Sequence, residues 1–180
     1  MENNLHNGYL FKALDAYPYN LEETLEALNY ALSYNGSDAH ALYLMGLVYA
    51  EQLQEYDIAK EYFAEAMASK MDLPVIYPFY IRTLIKNEDY QEAQKLLDFA
   101  YKVKGTDKAF LKSIQAVLYE KTGNYKRAVS SYKKAIRLAV NNAFVDYAEK
   151  ELDRVKKKLK SPKKGKRKRI KRSRIKKKGV

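Results

Sequence analysis

The chain has 180 residues, with no cysteine, 7 glycines and 4 prolines. The lack of cysteine excludes disulfides, cysteine metal sites and cysteine nucleophiles, and it suits a reducing compartment. A hydrophobic fraction of 47% is ample for a core, and the scarcity of Gly and Pro favours helices over a turn-rich sheet protein. The length fits one compact domain or a short repeat array.

The formal net charge of +12 is distributed unevenly along the chain. Residues 154–180 contain 17 Lys or Arg and no acid, whereas residues 1–153 hold 17 bases and all 22 acids, a net of −5. A mildly acidic body therefore precedes a strongly basic tail. We see neither a secretory signal nor an apolar run of the roughly 20 residues that span a bilayer. The expected location is cytoplasmic, or nuclear if the source is eukaryotic.

Apolar periodicity and breaker residues predict nine helices along the chain. Their expected bounds are 5–17, 21–34, 39–52, 56–69, 74–86, 90–103, 107–121, 124–138 and 143–159. Asn20 is a suitable N-cap for the second helix, and Asn141-Asn142 for the last. Pro78 makes the fifth helix the least regular, because it would lie inside the helix or delay its start. Gly46 falls in mid-helix, which indicates a close approach by the neighbouring helix.

Four of these helices share one pattern, or grid, in which large and small residues alternate over four positions on one face. Each grid has offsets of 3, 4 and 3, and the grids end at Ala31, Ala66, Ala100 and Ala135. The period is therefore 34 or 35 residues. One such helix in each unit of this length is typical of a helical solenoid.

Two units show the pattern best. One runs Leu42, Gly46, Tyr49, Tyr56, Ala59, Phe63, Ala66, with one extra residue in the turn near Leu53; the other runs Ala116, Tyr119, Gly123, Tyr125, Ala128, Tyr132, Ala135. In these residues and their spacing the chain resembles the tetratricopeptide repeat family. The other two units depart, with Lys12 and Ile81 at the small-residue position. The resemblance covers about residues 5–138.

The resemblance implies an all-α, right-handed superhelical solenoid of helix-turn-helix repeats. Residues 1–140 would form the array, in units of about 5–34, 39–69, 74–103 and 107–138. A C-terminal capping helix (141–160) and a disordered basic tail (161–180) would follow. The family implies a non-enzymatic adaptor or scaffold whose inner groove binds a peptide or partner helix.

The repeat register places aromatic, aliphatic and basic residues on the expected groove. They are His40, Tyr43, Leu47, Phe79, Arg82, Lys86, Phe110, Ser113 and Val117, together with His6, Tyr9 and Val75. Such a wall would suit an amphipathic helix, or a peptide with an acidic residue that meets the basic spot. The alternative is that many of these residues pack between helices or lie under the end helix. Self-association through the exposed end repeats is a further possibility.

Several other functions lack their residues. Chaperone-binding members of the family resemble one another in a Lys, Asn and Arg clamp for a C-terminal carboxylate, and the matching positions here hold Tyr43, Leu47, Phe79, Phe110 and Ile114. His6 and His40 have no acidic pair or cysteine to complete a metal site, so we expect neither metal nor cofactor. There is no phosphate-binding glycine loop, metalloprotease helix motif or nucleophile elbow. We therefore expect no enzymatic activity.

The basic tail is the second candidate surface. Its cations after residue 160 are Lys163, Lys164, Lys166, Arg167, Lys168, Arg169, Lys171, Arg172, Arg174, Lys176, Lys177 and Lys178. They could bind the phosphates of DNA, RNA or the ribosome, but without base stacking, since no aromatic residue follows Tyr147. Alternatives are an anionic membrane, an acidic protein, a nuclear-import signal or a solubilising role. An alternative function follows, in which the protein binds nucleic acid nonspecifically and the repeats only present or dimerise the tail.

Overall fold

A computed structural model describes the backbone of residues 2–160 and the side chains of residues 8–160. Nine α-helices and one π-helical segment make up this part of the chain, and it contains no strand. The helices are α1 (Glu2–Ala16), α2 (Leu21–Tyr34), α3 (Ala39–Leu47), α4 (Tyr56–Ser69), α5 (Ile76–Lys86), α6 (Tyr90–Ala100), α7 (Lys108–Lys121), α8 (Tyr125–Leu138) and α9 (Asn142–Lys160). The predicted disorder of 161–180 lies outside the described residues.

The helices pack mainly against their neighbours in sequence. Four hairpins, α1–α2, α3–α4, α5–α6 and α7–α8, stack in order, and α9 packs on α8. Short connections make adjacent helices antiparallel. Contacts restricted to neighbouring units define a solenoid, so the predicted all-α repeat class is confirmed.

Gly46 lies where two helices come into close contact. A Cβ atom at this position would come within 2.8 Å of the Phe63 ring of α4. Phe63 is fully buried and also stacks on Tyr80 of α5, with ring centroids 5.7 Å apart. The close approach predicted from the sequence is therefore present, and the same ring connects α3, α4 and α5.

The extra residue of the second repeat is absorbed within the helix rather than in the turn. The helix predicted for 39–52 is α-helical only to Leu47, and a π-helical segment, Val48–Leu53, follows. A π-helical turn accommodates one more residue than an α-helical turn. Gln54 follows the segment as its C-cap and, with a φ of 58°, adopts the left-handed conformation. The segment carries Glu51, which reaches the candidate site described below.

Three other helix boundaries differ from the prediction by two or more residues, and the first is the start of α1 at Glu2 instead of residue 5. α5 begins at Ile76 instead of residue 74, so Pro78 lies in its first turn, where a missing N–H costs no intrahelical bond. α6 ends at Ala100 instead of residue 103. There the Thr106 hydroxyl donates to the Ala100 carbonyl at 2.9 Å, which satisfies an acceptor left over at the helix end.

The buried residues of the described region form two clusters. The larger extends from α1 to α7. The smaller lies between α7, α8 and α9 and contains Ala116, Ala128, Tyr132, Ala148, Leu152 and Val155. The capping helix thus has an apolar contact of its own, separate from the main core.

Candidate functional site: a groove between three helices

α5, α7 and α9 enclose an open cavity of about 380 Å³. Its lining residues are Arg82, Ile85, Lys86, Phe110, Ser113, Ile114, Val117, Lys121 and Tyr147. Those from α7 recur at steps of three and four residues, so they form one stripe along that helix. The cavity brings together five of the nine predicted groove residues, namely Arg82, Lys86, Phe110, Ser113 and Val117.

The floor of the groove is apolar and rigidly supported. Ile85 and Ile114 are buried beneath it. The Phe110 ring stands edge-on to Phe144 of α9, with centroids 6.4 Å apart, and Phe144 in turn contacts Tyr147 at 6.1 Å. α9 therefore closes one end of the groove. Tyr147 remains 46% exposed at the rim, where a ligand could contact it.

The predicted basic spot is present, but it already has an acidic partner. Lys86 Nζ donates to Glu51 Oε2 at 3.1 Å, and Arg82 Nη2 lies 3.4 Å from Glu51 Oε1. The Arg82 guanidinium also lies over the Phe79 ring, 5.7 Å from its centroid. Lys121 adds a third cation at the rim, and no carboxylate of the described residues pairs with it. The rim therefore keeps a net positive charge.

The remaining predicted residues lie outside this cavity. Tyr43 packs against Phe63 and Phe79, at 6.1 and 5.9 Å, and burial raises the pKa of its hydroxyl. Leu47 is only 7% exposed and belongs to the core, as the packing alternative holds. His40 is exposed at the start of α3, where its Nδ1 lies 4.0 Å from Asp38 Oδ1. The side chain of His6 and the basic tail are outside the described residues.

The sequence reasoning did not predict four residues of the site, namely Glu51, Ile85, Lys121 and Tyr147, and it named Ile114 only as a clamp position. Glu51, Lys86 and Lys121 follow one another at intervals of 35 residues, the repeat period. They occupy equivalent positions in successive repeats, so the register could have identified the Glu51 pair and the third cation. Tyr147 offered no such signal, because α9 lies beyond the last repeat.

Two absences can be stated for the part of the chain that the structure describes. No group of three or more His, Cys, Asp or Glu is placed to hold a metal ion. Among the same residues, no helix has the length and apolar character required to cross a membrane.

The fold and the groove define a class, the open solenoids of helical hairpins. Residues 39–70 and 114–142 match the family model described as Tetratricopeptide repeat. These two segments, which lie in the second and fourth hairpins, identify tetratricopeptide repeats within the chain. As a class, tetratricopeptide repeat proteins are generally non-enzymatic scaffolds for protein–protein interaction.

Solved structures of the same architecture support the fold. PilF of Pseudomonas aeruginosa is 19% identical, with a TM-score of 0.73 over 87% of this chain and 71% of its own. MamA of Desulfovibrio magneticus RS-1 is 16% identical, with a TM-score of 0.65 over 87% of this chain and 98% of its own. At these identities the likeness shows the fold alone. No curated protein matches the sequence significantly.

Proposed function

We propose that the protein is an adaptor whose groove between α5, α7 and α9 binds an amphipathic helix or peptide of a partner protein. The observation that carries this proposal is the combination of an apolar floor, formed over Ile85 and Ile114, with cations at the rim. Such a surface accepts apolar anchor residues and orients them through a few charged contacts. The preferred ligand therefore carries an acidic residue beside its apolar face.

Glu51 tunes this preference. Its carboxylate occupies Arg82 and Lys86 in the free protein, so a ligand carboxylate must share these cations or displace Glu51. Lys121 is the rim cation left for direct pairing. Removal of the Glu51 charge should therefore strengthen binding of acidic ligands.

The test is selection of displayed random peptides on the full-length protein, followed by calorimetric titration of the selected peptides. Val117→Glu places a charge on the groove wall and should weaken binding at least tenfold, since a buried unpaired charge is strongly unfavourable. Tyr19→Glu is the matched control, because Tyr19 is 92% exposed and does not line the cavity. Equal binding by Val117→Glu and wild type would refute the groove assignment.

A second variant tests the electrostatic part alone. Glu51→Gln should raise the affinity for selected acidic peptides by a few fold, about 0.2–1 kcal/mol, and leave the affinity for selected neutral peptides unchanged. Addition of salt should reduce this gain, because the rim is partly exposed. Equal gains for acidic and neutral peptides would show that Glu51 acts through packing instead of charge.

We also propose that the basic tail attaches the adaptor to nucleic acid or another polyanion. Twelve Lys or Arg and no acid lie in residues 161–180, and each phosphate contact releases counterions. Labelled random DNA and RNA should bind the full chain tightly at low salt, and residues 1–160 much more weakly. If the truncated protein lost peptide capture as well, the alternative would apply, in which the repeats only present the tail.

A further inference from the structure

The basic character of the chain does not begin at the tail. Residues 1–106 contain 8 Lys or Arg and 16 Asp or Glu, a net charge of −8. Residues 107–160, which include α7, α8 and α9, contain 14 Lys or Arg and 6 Asp or Glu, a net charge of +8. The folded repeats are therefore electrically polarised along the solenoid.

The polarity is sharpest on the second helices of the four hairpins. α2 carries a net charge of −3, α4 of −2 and α6 of −1, whereas α8 carries +5 and has no acidic residue. The net charge of the second helix of the hairpin thus changes from negative to positive at the last repeat. A solvated helix face ordinarily mixes both signs, because opposite charges four residues apart stabilise a helix and like charges destabilise it.

All five cations of α8 are exposed on the side opposite its buried face. The buried side is formed by Ala128, Ser131, Tyr132 and Ala135, and the exposed cations are Lys126, Arg127, Lys133, Lys134 and Arg137. None forms an ion pair with a described residue. They extend over 12 residues of helix, about 16 Å at 1.5 Å per residue. We call this surface the α8 basic face.

The α8 basic face leads towards the tail. Because α8 and α9 are antiparallel neighbours, the C-terminal end of α9 lies near the N-terminal end of α8. That end of α9 carries Lys156, Lys157, Lys158 and Lys160. Residue 161, the first of the basic tail, follows it directly in the chain.

We propose that the α8 basic face binds the phosphate backbone of nucleic acid, as a folded contact additional to the tail and separate from the peptide groove. Unpaired cations spread over about 16 Å match a ligand with closely and regularly spaced charges, one per about 1.7 Å of duplex axis. The five cations share the face with Ser130, and the Tyr119 ring lies beneath the Arg127 guanidinium, 5.8 Å from it, so that ring is already covered. The contact therefore reads the backbone and not the bases.

Nucleic acid is favoured over an anionic membrane by the apolar residues of the same helix. Val129 and Ile136 are half-buried and pack on the second core cluster, so they are not offered for insertion. Exposed apolar side chains begin only at Leu138, beyond the last cation. A membrane-binding helix would instead leave an apolar face exposed beside its charged face.

The experiment compares two triple variants of the full-length protein with the tail intact. Lys126→Gln, Lys133→Gln and Arg137→Gln remove three cations of the α8 basic face. Lys70→Gln, Lys102→Gln and Lys104→Gln remove three exposed cations of the acidic half, so the change in net charge is the same. The probes are a random-sequence duplex DNA and a single-stranded RNA, titrated across salt.

For duplex DNA, the slope of log affinity against log salt should fall by about 2.7 in the α8 variant, at about 0.9 per lost phosphate contact. The control variant should keep the wild-type slope. In addition, bound DNA should protect Lys126 and Lys133 from amine acetylation, as read by mass spectrometry, while Lys70 stays reactive. Equal slopes in both variants, or unprotected α8 lysines, would overturn the proposal.

Two further outcomes would also overturn it. Phosphatidylserine vesicles could lose binding to the α8 variant while DNA and RNA do not, which would assign the face to a membrane. Alternatively, the wild type could form an oligomer that the α8 variant dissolves with nucleic-acid binding unchanged, which would assign it to the acidic end of a second copy. Neither outcome bears on the peptide groove, because no α8 residue lines it.

Discussion

The main core and the C-terminal cluster are built differently, although both belong to one solenoid. Among the described residues, the main core unites 26 buried residues from α1 to α7, including the large side chains Phe63, Tyr77 and Leu97. The cluster beneath the capping helix has six buried residues, three of which are alanines. Apolar burial stabilises by area, so the capping helix gains much less from packing than the inner repeats do.

Ion pairs supplement this small apolar contact. Arg154 of α9 binds the Glu120 carboxylate of α7 through two nitrogens, each at 2.5 Å, and Lys158 reaches the same carboxylate at 2.6 Å. Glu120 is only 9% exposed. The comparison indicates that the inner repeats are held mainly by packing and the capping helix partly by charge. Because α9 supplies Tyr147 to the candidate groove, the ion pairs that hold α9 also position one of its lining residues.

The largest effect should come from the main core. Phe63→Ala removes the ring that fills the space over Gly46 and stacks on Tyr80, so we expect a loss of about 3–5 kcal/mol in the free energy of unfolding. Urea denaturation measures it. Phe11→Ala is the control, because Phe11 is 64% exposed and its truncation should change stability by less than about 0.5 kcal/mol. Similar losses in the two variants would contradict the packing account.

A smaller and more local effect should follow from the ion network. Glu120→Ala leaves Arg154 and Lys158 without their shared carboxylate and should cost about 1–3 kcal/mol, towards the lower end because Arg154 is 41% exposed. Hydrogen exchange should speed up in α9 while α3 and α4 remain protected. Asp153→Asn, which breaks only an exposed pair with Lys156, should leave α9 exchange unchanged. Uniform acceleration over all helices would mean that α9 does not undock separately.

The same network predicts a dependence on pH. Burial alone would raise the pKa of Glu120, but hydrogen bonds from Arg154 and Lys158 outweigh it and hold the pKa below the ordinary value of 4.5. A depressed carboxyl pKa gives stabilisation that is present above the unfolded value and is lost as pH falls through the folded value. The protection of α9 amides, relative to their intrinsic exchange rates, should therefore decrease in the wild type as pH falls below the ordinary Glu pKa of 4.5. Glu120→Gln should show no such step, and persistence of the step would assign it to another group.

The repeats could be predicted well from the sequence, because the spacing of their large and small residues determines which side chains pack between the helices. Helices 21–34 and 56–69 lie at their expected bounds, and the contact of Gly46 with Phe63 follows from a small residue opposite a large one. The π-helical segment was missed, because a one-residue insertion can be absorbed in a turn or in a helix with the same sequence signal. Tyr147 was also out of reach, since its position depends on how α9 docks.

The smallest effect should come from removing one buried tyrosine hydroxyl group from each of the two clusters. Tyr77 and Tyr132 are both fully buried, one in each cluster. The Tyr77 hydroxyl donates to the Met71 carbonyl, whereas no described group bonds the Tyr132 hydroxyl. Tyr77→Phe should therefore cost about 1 kcal/mol of unfolding free energy, and Tyr132→Phe should be neutral or slightly stabilising, because it removes a buried polar group without a partner. Urea denaturation of both variants measures the difference. An equal loss would show that the Tyr132 hydroxyl has a bonding partner after all.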